Sequence, residues 1–299
     1  MYEAFFGLRE KPFSLLPDPR FLYAGRSHRT ALGLLEYGLG EQVGFVVLTG
    51  EVGSGKTTLV RHLLDGAARD LVVGLVTTTH HAFGELMAWI LRALDLDGRG
   101  LDPVGRHELL VRFLIDRFAE RRRVVLIVDE AQNLGEEALE QLRMLSNVNA
   151  GADHLLQIIL VGQPELRQVL QRPSLRQLVQ RIAVDYHLVP LAADDTRRYV
   201  RHRLAVAGGP PDLFDDEACR ALHWFAQGLP RLVNALADLA LLCAFADDRR
   251  RVDADTVIEA ALERGRGGLS ALRLPPPEAS AAQARSLILG SPRVSIAVS

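Results

Sequence analysis

The sequence predicts an α/β fold: a three-layer αβα domain on a five-stranded parallel sheet, followed by a small all-α domain. Three observations predict it. Short apolar, β-branched runs alternate with stretches of helical periodicity as far as about residue 190, the pattern of a parallel sheet covered on both faces. A glycine-rich turn separates the first of these runs from the helical stretch after it. Beyond Pro190 the strand-like runs stop and only helical spacing continues, to about Arg264, a change of character that marks a second domain.

The elements follow in order. Residues 1–26 are an aromatic- and proline-rich lead-in (Phe5, Phe6, Pro12, Phe13, Pro17, Pro19, Phe21, Tyr23), read as ordered but irregular. Ser27 is placed to cap a helix running to about Glu41. GFVVLTG, ending at Gly50, is the first buried strand, and LVRHLLDGAARD after the turn is helical. LVVGLVTTT (71–79) is the second strand, and helices are expected over Phe83 to Leu94 and His107 to Arg122. VVLIVDE (124–130) is the third strand, with a helix from Leu134 to Asn149 after it. LLQIILVG (155–162) is the fourth and IAVDYHLV (182–189) the fifth, with short helical pieces between Pro164 and Gln180. The second domain reads as helices 194–207, 215–227, 230–246 and 253–263. Residues 265–299 hold a triple proline and many Gly, Ser and Ala, the composition of a mostly disordered tail. Within that tail SLILG and VSIAVS are apolar enough to dock. The organisation is therefore a lead-in (1–26), an α/β core (27–190), a helical domain (191–264) and a tail (265–299).

Composition excludes several classes. Hydrophobic residues at 48% and charged residues at 24% are globular values. A net charge of −2 carries no basic excess announcing nucleic acid. Cys219 and Cys243 form no CxxC or Cys/His cluster, so neither zinc nor a disulfide framework is expected. The start MYEAFFGLREKPF lacks the layout of a secretory signal. The longest apolar stretch, Leu232 to Ala246, is short and interrupted by Asn234 and Asp238, so no membrane span is expected. A cytoplasmic protein is expected, with peripheral attachment at the inner membrane left open. Lys and Arg total 35, yet Lys11 and Lys56 are the only lysines, so a lysine that persists is placed where arginine would fail.

Lys56 sits in the motif that carries the chemistry. Gly50-Glu51-Val52-Gly53-Ser54-Gly55-Lys56-Thr57 matches GxxxxGK[ST] between a strand and a helix, the context that confirms a phosphate-binding P-loop. Its glycines let backbone N–H groups surround phosphates, and the following helix N-terminus, from Thr58 onward, adds positive potential. Lys56 is expected on the β- and γ-phosphates and Thr57 on magnesium. Asp129 and Glu130 end the third strand, at the edge where ligands sit in open α/β sheets. Asp129 is expected to hold the magnesium through water, and Glu130 to act as general base. Gln163, ending the fourth strand, is placed to reach the γ-phosphate and the attacking water. Arg181 is the candidate to enter a neighbouring subunit's site, with Arg176 as the alternative. Arg231, in the first turn of a helix behind Gly228-Leu229-Pro230, is placed to fold back onto the nucleotide. The extra strand between the P-loop and Asp129-Glu130, with no NKxD motif, argues for ATP over GTP.

Taken in order, YEAFFGLREKPFSLLPDPRFLYAGRSHRTAL, GFVVLTGEVGSGKTTL, VVLIVDEAQNL, LVGQPEL, QRIAVDYHLVPL and GLPRLVNAL resemble the ExeA/GspA-type AAA+ ATPases, the general secretion pathway protein A group, over residues 1–264. The resemblance implies that Lys56 and Thr57 are the Walker A pair and Asp129 and Glu130 the Walker B pair. It implies that Gln163 is sensor 1, Arg181 the arginine finger and Arg231 the sensor 2 arginine of the lid. It also implies a homo-oligomer with nucleotide at the subunit interface. Secretion-pathway members usually continue into a transmembrane helix and a periplasmic peptidoglycan-binding domain, which these 299 residues lack, so a shorter relative is expected. Three functions follow. The first is Mg-ATP hydrolysis driving assembly of an envelope machine for secretion, pili or exopolysaccharide export. The second is a DNA-binding transposition ATPase similar to TniB/TnsC, for which the scattered arginines Arg121 to Arg123, Arg197, Arg198, Arg201, Arg203 and Arg249 to Arg251 would contact duplex DNA. The third is a non-hydrolysing nucleotide switch.

Overall fold

The computed structural model describes residues 1–66, 70–77, 85–150, 153–268, 270–276 and 281–290. The chain divides into two compact units, one of residues 29–52 and 59–188, the other of 1–28, 53–58 and 189–299.

The first unit is the α/β one. Its sheet holds β1 (Phe45–Gly50), β2 (Leu71–Val76), β3 (Arg123–Val128), β6 (Leu156–Gly162) and β7 (Ile182–Leu188). The order is β2-β3-β6-β1-β7 and every pairing is parallel. Burial follows the order: β1 and β6 are buried throughout, whereas the edge strands β2 and β7 are partly exposed. This is why the central strands read as unbroken apolar runs. One face packs Phe45, Val47, Val124, Leu126, Ile158 and Leu160 into a core with α3 (Leu86–Ala93), α4 (Pro103–Ala119) and α5 (Glu136–Leu145). The alternate residues Val46, Leu48, Val125, Ile127, Ile159 and Val161 are buried on the opposite face. There α1 (Arg26–Gly40) comes so close that a Cβ on Gly38 would stand 2.8 Å from Val46 Cγ2. Helix α2 (Lys56–Asp65) follows the glycine-rich turn, and α6 (Pro164–Leu170) and α7 (Arg176–Val179) precede β7.

Several expected boundaries move. Helix α1 begins at Arg26, so Ser27 lies inside it and is not its cap; Ser27 Oγ instead accepts from the Val189 N–H at 3.3 Å. Helix α4 begins four residues before His107, because Asp102 caps it by accepting from the Gly105 N–H at 2.7 Å and Pro103 presets the first turn. Helix α5 ends at Leu145, short of Asn149, which instead opens β4 (Asn149–Ala150), paired antiparallel with β5 (Asp153–His154). Thr78, Thr79, Phe83 and Gly84, expected in β2 and α3, lie outside the described residues.

The second unit is helical: α8 (Ala193–Val206), α9 (Asp216–Ala226), α10 (Pro230–Ala246) and α11 (Ala254–Arg266). The lead-in belongs to its core, with Tyr2, Phe6, Leu8, Phe13 and Phe21 buried beside Leu204, Phe214, Leu222 and Phe225. The polar residues that interrupt α10 tie this lead-in down. Asn234 accepts from the Tyr199 hydroxyl at 2.8 Å and donates to the Ser14 carbonyl at 3.4 Å, and Asp238 accepts from the Tyr2 hydroxyl. Arg203, 6% exposed, donates to the Pro12 carbonyl at 2.5 Å and stacks 4.7 Å over Phe21. Cys219 is packed in this core, where burial pushes its thiol up to about 12.

Part of the expected disordered tail is ordered. Residues Ala281–Leu289 form α12, packed against α9 and α11. Ala284 is fully buried and Arg285 pairs with Asp255 and Glu217 at 2.6 and 2.8 Å. The small and apolar residues that lowered its complexity supply a docking face. The apolar run at 294–299 lies outside the described residues. Among the described residues no helix is long and apolar enough to cross a membrane.

Candidate active site

Parallel register brings three strand ends to one edge of the sheet. Val128 of β3 lies beside Leu160 of β6, and Gly162 of β6 beside Thr49 of β1. Asp129-Glu130, Gln163 and Gly50 therefore follow one another along that edge, about 5 Å apart per strand. Gly50, Glu51 and Val52 run from β1 into the glycine-rich turn.

At the end of β3 the backbone turns sharply. Glu130 has φ +53°, in the left-handed region, a conformation that costs a non-glycine residue about 1 kcal/mol or more. Its N–H donates to Asp129 Oδ1 at 2.9 Å. Its Oε2 accepts from Gln163 Nε2 at 2.9 Å and from Gln132 Nε2 at 2.6 Å. Gln132 Oε1 in turn accepts from the Gln163 N–H at 3.0 Å. Gly162 leaves room for this contact: a Cβ there would stand 2.9 Å from Gln132 Oε1. Glu130 is thus aimed by two amides from different elements, and Asp129, 8% exposed, lies beneath it in sequence at the strand end. Gln163 is expected from the sequence and Gln132 is not. The signal was the polar pair in DEAQN, two residues past the acid, which falls in the short 3-10 helix Ala131–Asn133.

The phosphate loop proper, residues 53–58, belongs to the helical unit. Gly53 and Gly55 have φ +77° and +101°, so successive N–H groups can turn to one side as an anion nest. Ser54 and Lys56 are 1% and 6% exposed, and Lys56, Thr57 and Thr58 open α2. Arg231, at the start of α10, donates its backbone N–H to the Gly53 carbonyl at 3.2 Å, and its side chain runs along the loop. Behind it the Gly228 turn is fixed: at φ +73° a Cβ would fall 2.0 Å from the Leu191 carbonyl oxygen. His28, which the sequence reading did not single out, places Nε2 3.0 Å from the Ser54 carbonyl oxygen. Burial holds its imidazole below the ordinary histidine range.

The remaining candidates are held elsewhere. Arg181 donates to Ser146 Oγ at 2.9 Å, at the end of α5, so in the single chain it is folded onto its own unit. Arg176 is exposed. The arginines considered for DNA are largely matched: Arg197 and Arg201 pair with Asp216, Arg249 with Asp247, Arg251 with Asp212, and Arg123 with Asp70. Arg250 stacks 3.9 Å from the Phe5 ring centroid, and Arg203 is buried.

The donor set fits a magnesium–triphosphate. Within the helical unit a lysine and a hydroxyl stand at a glycine nest, and within the α/β unit a mostly buried carboxylate follows β3, each a hard ligand of the kind that phosphate and magnesium take. Among the described residues no cluster of three or more His, Cys, Asp or Glu could cage a metal alone.

Comparison with known proteins agrees. The AAA domain family matches residues 40–170. General secretion pathway protein A of Aeromonas hydrophila is 42% identical over 255 residues, covering 84% of this chain and 46% of that protein. This chain thus spans about half the length of that relative. Among solved structures, the Aeropyrum pernix ORC2 protein in its ADPNP–ADP complexes superposes with a TM-score of 0.63 at 18% identity, over 87% of this chain and 75% of that one. The Cdc6p structure from Pyrobaculum aerophilum gives 0.60 at 19%, over 83% and 71%. At such identities these likenesses speak for the fold alone. The sheet order, the phosphate loop and the 42% relative together show a P-loop AAA+ fold in a chain similar to general secretion pathway protein A.

Proposed function

We propose that this chain hydrolyses Mg-ATP to ADP and phosphate, and uses the cycle to assemble or remodel an envelope machine. The observation that carries the hydrolytic part is the Glu130 carboxylate, held by Gln132 and Gln163 at the strand edge that also bears Asp129. A mere nucleotide switch needs no such aimed base. In this reading the N–H groups of residues 51–57 and Lys56 hold the phosphates. Thr57 and Asp129 would hold magnesium, which when bound supplies positive charge to the β- and γ-phosphate oxygens. Glu130 takes the proton of the water whose oxygen bonds to the γ-phosphorus, while the bond to the β–γ bridging oxygen breaks and ADP leaves. Gln163 orients that water and the γ-phosphate, and Arg231 closes over the nucleotide.

The envelope part rests on the 42% identity to general secretion pathway protein A and extends to this chain only as a proposal. Self-assembly is part of the same proposal: Arg181 would leave Ser146 to stabilise the transition state in a neighbouring subunit. The test is steady-state ATP hydrolysis across protein concentration, with and without duplex DNA, beside Lys56→Ala and Glu130→Gln. Activity that rises per subunit with concentration, ignores DNA, vanishes in both variants and drops in Arg181→Ala supports the proposal. Strong DNA stimulation replaces it with the transposition-type reading. ATP binding without hydrolysis replaces it with a switch.

A further inference from the structure

We propose that His28 is a positioning residue of the phosphate loop, whose Nε2–H holds the Ser54 carbonyl outward so that the loop's amides face the phosphates. The inference rests on the phosphate-loop reading above and deepens it.

A loop that turns consecutive N–H groups inward must turn carbonyls outward, and outward carbonyls shielded from water need donors. Two consecutive ones have them. Gly53 O receives the Arg231 N–H at 3.2 Å, and Ser54 O faces His28 Nε2 at 3.0 Å. A carbonyl only accepts, so Nε2 carries the proton and the tautomer is fixed. His28 is 3% exposed, and its Nδ1 is buried with no hydrogen-bond partner among the described residues. A charged ring would bury a second, unsatisfied N–H there. The neutral ring therefore has one polar task, donation to Ser54. Packing adds to it: a Cβ on Gly55 would stand 3.1 Å from His28 Nε2, so the ring lies flush against the loop. His28 is in the first turn of α1, which anchors the donor on a helix rather than on a mobile loop. A group acting on the loop's shape affects every ligand that uses the nest, ADP and ATP alike, and leaves the chemical step alone.

The experiment is equilibrium binding of a fluorescent N-methylanthraniloyl-ADP to the full chain, for wild type, His28→Leu, His28→Gln and Lys56→Ala, with thermal melts alongside. His28→Leu is expected to weaken binding about tenfold, the size of one hydrogen bond. His28→Gln, whose amide N–H can reach the same carbonyl, recovers most of it. Turnover at saturating ATP stays within about twofold in both, since the bond is made equally before and during reaction. In parallel, nitrogen-15 histidine spectra of the wild-type chain should show His28 protonated at Nε2 and shifting on ADP addition, a readout independent of any variant. Wild-type binding with an unchanged His28→Leu, glutamine no better than leucine, or an Nδ1–H tautomer overturns the proposal. A wild type that binds no nucleotide overturns the phosphate-loop reading itself and takes this inference with it.

Discussion

The phosphate loop and the acidic end of β3 are held in different ways. The loop's carbonyls are fixed by a backbone N–H at the start of α10 and by a buried imidazole. Glu130 is held by two side-chain amides, themselves only partly buried, on a backbone turned into a left-handed conformation. Moving the loop would mean moving helices or opening a core. Moving Glu130 needs only side-chain rotations of Gln132 and Gln163. Under the proposed function the loop is the binding element and Glu130 the chemical one, so substitutions in the two regions should fall on different kinetic constants.

The sharpest break of that comparison is Glu130→Gln. It keeps the size and the amide contacts but removes the base, so turnover should fall by about a hundredfold or more while ATP affinity holds. Affinity falling in step with turnover would mean that Glu130 also shapes the binding element. Next in size are Gln163→Ala and Gln132→Ala. Each frees one side of the carboxylate, and a drop of about tenfold in turnover for Gln163 and a few-fold for Gln132 is expected from steady-state rates at saturating ATP. Because both donate to one oxygen, the double variant should lose less than the product of the singles.

The sheet side of this comparison was largely legible in the sequence. Central strands buried on both faces cannot hide their apolar runs, and Asp129, Glu130 and Gln163 sit at strand ends that those runs define. Gln132 and His28 were not legible. His28 touches a loop 26 residues away, and Gln132 acts only because Glu130 turns left-handed and a glycine at 162 leaves it room. Helix starts failed where a local cap was overlooked, as with Asp102-Pro103, or overvalued, as with Ser27. Helix α12 was not legible in the tail because composition reports complexity, whereas docking depends on whether small residues such as Ala284 find a matching face.

A smaller effect tests the loop side alone. Gly228→Ala must push on the Leu191 carbonyl from a strained φ of +73°. A cost of about 2 kcal/mol is expected, read as a fall of several degrees in Tm, together with weaker ADP binding because the turn aims the Arg231 N–H. Turnover at saturation should be spared. Acid provides a related contrast. Burial lowers the pKa of His28, His202 and His223, all in the helical unit. Each binds a proton less readily when folded than when unfolded. The stability tied to them is therefore complete above about pH 6.5, the ordinary histidine value, and is lost as pH falls below it. Amide exchange at pH 5.5 should show the helical unit losing protection ahead of the sheet. Equal loss in both units would show that carboxylates govern acid stability instead.

The smallest effect expected is at Arg285. Its two ion pairs, to Asp255 and Glu217, join side chains that are 41 to 65% exposed, and such pairs contribute about 1 kcal/mol or less in water. Arg285→Ala should leave nucleotide affinity and turnover unchanged and lower amide protection over residues 281–289 only slightly, because Ala284 and Ile288 pack α12 against the core of α9 and α11. Ala284→Glu, which places a charge in that core, should release α12 altogether. If the arginine change alone frees the helix, charge rather than apolar packing docks it. If either change alters turnover, α12 is coupled to the chemistry, and the separation of binding from catalysis is not confined to the phosphate loop and the end of β3.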